Sequence, residues 1–175
     1  MRSSVALIWV LAMGASGFVA ASTARAECDS SQTSKPSSSR LVVKGGAVYD
    51  KKTDLTWMRC SQGQTWKDDL GCVGVPKKFT HDEANQGWSN GWRVPTVDEL
   101  KTIIAKNCKN PAIDDEIFPD TPSEWYHTSS KTDSYCWHVN FGDGHVANDS
   151  SYLDSFNSGY YCGNAFAVRL VRSGQ

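Results

Sequence analysis

Six cysteines are the feature that most restricts what this chain can fold into, because all of them follow a segment typical of an export signal. They are Cys28, Cys60, Cys72, Cys108, Cys136 and Cys162. An even number of cysteines in an exported chain indicates disulfides rather than free thiols, since exported proteins meet oxidising conditions. Cys60 and Cys72 are close enough in sequence to bond to each other. The sequence therefore predicts a domain held by three disulfides.

Residues 1–26 are predicted to be a signal peptide. Arg2 supplies a positive charge, an uncharged and mostly apolar stretch runs from Val5 to Ala20, and Ala24-Arg25-Ala26 has the pattern that signal peptidase cleaves after. The apolar stretch is too short for a stable membrane-spanning helix, and Glu27 disfavours lipoprotein processing at Cys28. We therefore expect an exported protein, periplasmic or secreted to the cell surface, with no membrane insertion after cleavage.

The charge of the remaining chain disfavours nucleic acid and anionic membranes as partners. The chain has 18 basic and 19 acidic residues, and removal of Arg2 and Arg25 with the signal leaves an acidic excess of three. A mildly acidic domain has no overall electrostatic attraction to a polyanion.

The composition divides the rest of the chain into two parts. Residues 27–40 are rich in serine and are predicted to be a flexible tether, because such a stretch has almost nothing to bury. Residues 41–175 are predicted to form one folded domain.

Local patterns within this domain predict an α+β fold. Apolar runs on either side of the polar stretch at residues 50–54 are typical of a β-hairpin. Thr80 and Thr96 each begin a capping box, and the second is predicted to start a helix that runs to about Lys106. Alternating apolar residues predict two later strands, one over Trp137–Phe141 and one over Phe166–Val171.

Five segments, taken in order, resemble a known bacterial family. They are VYDKKTDLTWMRCSQGQTW (48–66), GWRVPTVDEL (91–100), NPAIDDEIFPDTPSEWYHTSS (110–130), CWHVNFGDGHV (136–146) and AFAVRLVRSGQ (165–175). Together they are similar to the family of the Legionella collagen-like protein C-terminal domain, from about Val48 to the last residue. The usual family glycine in the first hairpin turn is replaced here by Asp54.

The resemblance carries expectations about fold and function. It implies a C-type-lectin-like fold, related to the formylglycine-generating enzymes, with two helices flanking a twisted and mostly antiparallel sheet with long loops. The collagen-like protein of this family is an adhesin that binds sulfated glycosaminoglycans. The resemblance therefore implies a ligand-binding, adhesin-like domain whose partner is an extracellular or envelope glycan. Two alternatives remain open: a structural or protein-interaction module of the envelope, and an enzyme related to the formylglycine group.

The expected neighbours of two strands in this fold also suggest how the cysteines pair. Besides Cys60–Cys72, we expect Cys136–Cys162, because both residues lie on or beside strands that adjoin in the fold. Cys28–Cys108 then follows by elimination. Arg93 and Arg169 are expected to bind buried acids or backbone carbonyls rather than a ligand.

The candidate ligand-binding residues lie in the loop-rich second half. They are Trp125, Tyr126, His145, Asn148, Tyr152, Tyr160 and Tyr161. Aromatic rings offer flat apolar faces to sugar rings, and polar side chains bind hydroxyls. Some of these rings are equally compatible with a role as core side chains under the loops, whereas Trp57, Trp92 and Trp137 are expected to face the core.

Metal binding and catalysis have weaker support in the sequence. Asp143, Asp149 and Asp154 are oxygen donors that suit calcium, but their spacing matches no calcium motif and aspartates in loops commonly make turns. The four histidines are scattered in the sequence, and no nucleophile–base arrangement is evident. We expect a protein that is not an enzyme and uses no cofactor.

Overall fold

The computed structural model describes residues 25–29, 31, 40–133, 135–148 and 162–175. Within them sheets predominate and two short helices occur, which makes the fold broadly α+β. The elements in chain order are β1 (Glu27–Cys28), β2 (Leu41–Lys44), β3 (Ala47–Asp50), β4 (Leu55–Met58), β5 (Thr65–Lys67), β6 (Gly71–Val73), α1 (His81–Asn85), α2 (Val97–Lys101), β7 (Cys108–Lys109), β8 (Trp125–Lys131), β9 (Cys136–Asn140), β10 (Val146–Asn148) and β11 (Val171–Ser173). No helix in these ranges is both long and apolar enough to cross a lipid bilayer.

A four-stranded antiparallel sheet in the order β11-β4-β3-β2 forms one half of the structure. The predicted first hairpin is confirmed as β3–β4, with Asp50 opposite Leu55. Asp54, at the end of its turn, has a φ of 53°. Aspartate is one of the few residue types that enter this left-handed region readily, so it can occupy the position that the family usually gives to glycine.

A three-stranded antiparallel sheet in the order β10-β9-β8 forms the other half. The segment before β11 joins the two sheets, since Ala167 bridges to Tyr126 in β8 and Val171 pairs with Trp57 in β4. The predicted closing strand over Phe166–Val171 is therefore wrong in its extent, and the regular strand begins only at Val171. Residues 167–171 are buried on both faces because they run between the two sheets.

Both helices begin at the predicted capping boxes. The Thr80 and Thr96 hydroxyls accept from the backbone N–H groups of Glu83 and Glu99, whose carboxylates accept from the threonine N–H groups in return. The second helix is shorter than predicted and ends at Lys101. The N–H groups of residues 102–104 bond three residues back, which tightens the chain before Ile104 bridges to Ile113.

The main core fills the space between the sheets and α2. Its largest fully buried side chains include Trp57, Tyr126, Phe118 and Phe141, together with Leu100 and Ile103 from α2 and the turn after it. Trp57 faces the core as predicted and is not exposed at all, whereas Trp92 and Trp137 are half-buried.

The two arginines predicted to be structural have that role. Arg93 forms a bidentate pair with Glu99, at 2.7 and 2.6 Å. Arg169 has no exposed surface and donates to the carbonyls of Met58 and Arg59 and to the Thr121 hydroxyl.

The structure contains the three predicted disulfides, Cys28–Cys108, Cys60–Cys72 and Cys136–Cys162, and no cysteine is free. The tether prediction is wrong at its start. Glu27 and Cys28 form β1, which pairs with β7 beside the first disulfide. A strand that is both hydrogen-bonded and cross-linked is fixed to the domain, so the first residues predicted to be tether belong to the folded part.

Candidate ligand-binding surface

The sheet of β8, β9 and β10 carries the described candidate residues, and its register decides which of them share a face. Trp125 lies opposite Asn140, and His127 lies opposite His138. Since side chains alternate between faces along a strand, Trp125, His127 and His138 share one face. Tyr126 and Val139, which lie opposite each other, occupy the other face with the main core.

Tyr126 is therefore wrongly assigned as a ligand-binding residue. Its side chain has no exposed surface, and its ring meets Phe141 edge-on at a centroid distance of 4.9 Å. Its hydroxyl lies 2.6 Å from the Ser61 hydroxyl. Burial in the core raises its pKa. Tyr126 is thus a core residue with a satisfied hydroxyl, which is the alternative that the sequence left open for these rings.

Among the described candidate residues, Trp125 and His145 form an accessible pair. Trp125 is half-buried and His145 is exposed, and their rings meet at 6.0 Å in an edge-to-face arrangement. Phe166 packs against Trp125, with 6.3 Å between ring centroids. We call this pair the Trp125–His145 surface. It combines a flat apolar ring with a polar ring that can exchange hydrogen bonds, which suits a sugar ring and its hydroxyls.

Asn148 does not join this surface. It is half-buried at the end of β10, opposite Trp137, and so lies on the face that Tyr126 shares with the core. Tyr152, Tyr160 and Tyr161, together with Asp149 and Asp154, lie outside the described residues.

The remaining calcium candidate, Asp143, has a structural partner in its turn. The turn holds its carboxylate 2.9 Å from the backbone N–H of His145, which donates to it. This bond shapes the chain next to the exposed imidazole, as aspartates in loops commonly do. In the part of the chain that the structure describes, no group of three or more His, Cys, Asp or Glu side chains is arranged to hold a metal ion.

The structure brings together all four histidines, which are scattered in the sequence. Ring contacts run from His81 to His127 at 5.9 Å, from His127 to His138 at 5.4 Å, and through Trp125 to His145. His138 is only 3% accessible. Phe166 covers it at 4.7 Å between centroids. The histidines therefore link α1 on one side to the Trp125–His145 surface on the other.

His127 is a neutral, buried member of this group. Its Nε2 lies 2.6 Å from the Phe79 carbonyl. Because a carbonyl oxygen only accepts, Nε2 carries the proton and Nδ1 carries the lone pair. Burial, with smaller effects from the neighbouring His138 and His81, lowers the pKa of His127 from 6.5 to about 4. The imidazole is therefore neutral at physiological pH.

We expect stability to decrease as the pH falls from about 6.5 to about 4, because over this range the unfolded chain binds a proton at His127 that the folded chain does not. The full effect is on the order of 3 kcal/mol. Urea unfolding at a series of pH values tests this, with the His127→Gln variant for comparison. The variant should lose part of the pH dependence in this window, whereas His145→Gln should retain it. Equal slopes for all three proteins would contradict the assignment.

Comparison with known proteins identifies one family. A family model described as the Lcl C-terminal domain matches residues 46–172, which is well over half of the chain. No curated protein and no solved structure matches. The matched range includes the whole three-stranded sheet, both helices and the Trp125–His145 surface. It also includes the four-stranded sheet, except for β2 and the last residue of β11.

Proposed function

Because this chain belongs to the Lcl C-terminal domain family, we propose that it is an exported, adhesin-like domain that binds an extracellular or envelope glycan through the Trp125–His145 surface. The proposal includes a C-type-lectin-like fold and a binding role without catalysis. Its partner is a glycan rather than nucleic acid or membrane.

The observation that carries the proposal is the half-buried Trp125 ring beside an exposed imidazole, on a rigid support. Trp125 begins β8, which is hydrogen-bonded to β9, and Cys136 at the start of β9 is cross-linked to Cys162. A ring fixed in this way loses little conformational entropy on binding, so more of its contact energy contributes to affinity. The disulfides also support an exported location.

A binding role is also consistent with the cysteine chemistry. All six cysteines are in disulfides, so the folded chain presents no thiolate for oxidase or sulfur chemistry. We therefore favour ligand binding over an enzyme related to the formylglycine group.

Protein interaction is a second candidate function, and one specific feature favours it. The hairpin of β5 and β6 and the residues that follow it expose apolar side chains, with Leu70 72% accessible, Val75 82% and Val73 42%. Exposed apolar side chains that cluster often mark a contact with another protein. Leu70 lies in the loop closed by Cys60–Cys72, Val73 and Val75 follow that loop directly, and Trp125 is not part of this surface.

We expect Trp125→Ala to weaken glycan binding at least about tenfold, because a central aromatic residue commonly contributes more than about 1.4 kcal/mol to an interface. The measurement is the titration of the strongest ligand from a glycan array against the wild-type chain and the variant. Trp125→Phe keeps a ring and should recover part of the affinity.

Trp66→Ala is the matched control, since Trp66 is another half-buried tryptophan on the separate β5–β6 sheet. Thermal unfolding of both alanine variants separates a loss of binding from a loss of folding. An unchanged affinity in a folded Trp125→Ala protein would place the ligand elsewhere and overturn the proposed site.

A further inference from the structure

The face of the four-stranded sheet opposite the main core is only partly covered, since Val42 and Lys44 are exposed on it whereas Thr56 is buried. Val48 and Trp57 point into the core and have no exposed surface. Tyr49 and Thr56, their neighbours in the chain, therefore point to the other face. A groove of about 340 Å³ lies on this face. We call it the outer-face groove.

The floor of this groove consists of residues from four strands, β2, β3, β4 and β11, that lie side by side. Val42 lies opposite Tyr49, Tyr49 opposite Thr56, and Thr56 opposite Arg172, and all four line the groove. Three steps between neighbouring strands span about 14 Å. The groove therefore crosses the strands from the edge at β2 to the edge at β11.

Two cationic residues line opposite ends of the groove. Lys44, on β2, is exposed, and Arg172 lies on β11. Within the described ranges, neither of them is within ion-pair distance of a carboxylate. A groove with a cation at each end and no carboxylate beside either has a local positive potential, which favours an anionic ligand.

Arg172 is held in place without being neutralised. Its guanidinium lies 4.8 Å from the centre of the Trp92 ring. Its Nε is buried and makes no hydrogen bond within the described residues. The ring contact restricts the side chain, while an aromatic face leaves the charge uncompensated by an anion. A planar guanidinium fixed in this way can bind a carboxylate through two parallel hydrogen bonds.

The remaining side chains of the groove, and the paired backbone beneath them, indicate which kind of anionic ligand would fit. The backbone of the central strands is already paired within the sheet, so a ligand on this face must find its hydrogen bonds with side chains. Tyr49 and Val42 offer apolar surface, and Lys44, Arg172 and the Gln175 amide offer donors. This combination suits an acceptor-rich ring rather than an extended peptide, which needs backbone partners. A groove of about 340 Å³ is near the lower limit for small-molecule sites, which suits one or two rings.

We propose that the outer-face groove is a second binding site, which takes one carboxylate-bearing sugar unit. Arg172 binds the carboxylate, the ring lies over Tyr49 and Val42, and Lys44 donates to a hydroxyl at the far end. Such a unit can come from a hexuronic acid or a sialic acid, which share this chemistry. The inference rests on the proposed glycan-binding function and adds a ligand class and a second place of contact to it.

Chemical-shift titration of the full chain, with its disulfides formed, tests the proposal. The probes are glucuronic acid and N-acetylneuraminic acid, with glucose as the neutral control and glucose 6-sulfate as the sulfated one. We expect at least one carboxylated sugar to shift resonances of β2–β4 and β11 in a saturable and salt-sensitive way. The response to the two acids distinguishes the source of the carboxylate. Failure of both acids to bind, or equal binding of glucose or glucose 6-sulfate, would overturn the proposal.

Charge-removing variants locate the site. Arg172→Gln should weaken binding of the carboxylated sugar about tenfold or more, since it removes a charge-assisted bidentate contact. Lys44→Gln should weaken it about threefold, because an exposed lysine makes a smaller contribution. Lys44 is exposed, so that variant keeps its fold even if Arg172→Gln does not. Lys52→Gln, on the β3–β4 turn outside the groove, is the matched control and should bind like the wild type.

Trp125→Ala separates this inference from the proposed function. The groove predicts that this variant still binds the carboxylated sugar with unchanged affinity. If Trp125→Ala abolishes all sugar binding, or if Lys44→Gln and Arg172→Gln leave it unchanged, the groove is not the site and the proposal fails. The role of the Trp125–His145 surface is then tested separately, by the titration of Trp125→Ala with its own glycan ligand.

Discussion

Replacement of Arg169 by methionine is expected to lower the free energy of unfolding by about 3–5 kcal/mol, because it leaves buried acceptors unpaired. The Arg169 guanidinium donates to the Met58 and Arg59 carbonyls and to the Thr121 hydroxyl, and its side chain has no exposed surface. Each buried acceptor that loses its donor costs about 1–3 kcal/mol. The Phe118 ring, whose centre lies 4.9 Å from the guanidinium, also loses its cationic neighbour.

Removal of a buried charge has an opposing effect that must be weighed. Burial lowers the pKa of Arg169, because the charged guanidinium loses its hydration in the interior. Methionine avoids this cost and has a similar shape. We expect the unpaired acceptors to dominate, because water cannot reach them in a site with no exposed surface.

Arg93→Met is the matched control for this prediction. The Arg93 side chain is 42% exposed and pairs with Glu99 at the surface. The same chemical change there should cost about 1 kcal/mol or less, since exposed ion pairs contribute little. Urea unfolding at neutral pH measures both variants. If Arg169→Met is no less stable than Arg93→Met, the buried hydrogen bonds of Arg169 do not contribute the stability expected of them.

Removal of the disulfide Cys28–Cys108 is expected to destabilise the protein more than removal of either other disulfide. Its sequence separation is 80 residues, against 26 for Cys136–Cys162 and 12 for Cys60–Cys72. A disulfide restricts the unfolded chain more when it closes a longer loop, which gives about 4.5, 3.5 and 3 kcal/mol in that order. The corresponding pairs of cysteine-to-alanine changes, compared by urea unfolding, test the ranking.

A different ranking would show that native-state contacts outweigh loop closure. β1 contains only two residues, so besides the disulfide only a few hydrogen bonds, such as the one from the Asp29 N–H to the Asn107 carbonyl, hold this segment to the domain. If the Cys28→Ala/Cys108→Ala protein were as stable as the wild type, the fixed attachment of Glu27 and Cys28 would be contradicted.

Local features of this fold could be predicted from the sequence, whereas non-local ones, apart from the disulfide pairings, could not. The capping boxes at Thr80 and Thr96 depend on residues three positions apart, so they are visible in the sequence. The first hairpin is visible for the same reason. The end of α2 was missed, because the bridge between Ile104 and Ile113 interrupts a pattern that looks helical beyond Lys101.

The residues of the candidate site were also hard to predict where their positions depend on strand pairing. Tyr126 was assigned to a binding loop because polar residues surround it in the sequence, whereas strand pairing with Val139 places it in the core. The contact between His127 and His138 depends on the register of β8 and β9, which no single-sequence pattern specifies. The outer-face groove likewise combines residues near positions 42, 49, 56 and 172, whose proximity follows only from the order of four strands.

The domain therefore has two surfaces of different chemistry on one cross-linked frame. The Trp125–His145 surface offers aromatic rings, and the outer-face groove offers cations around a tyrosine. The first supports the proposed glycan recognition and the second extends it to acidic sugars. A net acidic domain can still attract an acidic sugar locally, since screening limits the reach of exposed charges to about 10 Å at moderate salt.

The most direct test of the central claim is a glycan array probed with the full chain, produced by export into an oxidising compartment so that its three disulfides form. The account predicts saturable binding to at least one class of glycan, and loss of part of that binding in Trp125→Ala but not in Trp66→Ala. Absence of binding to every glycan by a protein with no free thiol would contradict the account. That result would favour the protein-interaction alternative at the exposed Leu70, Val73 and Val75.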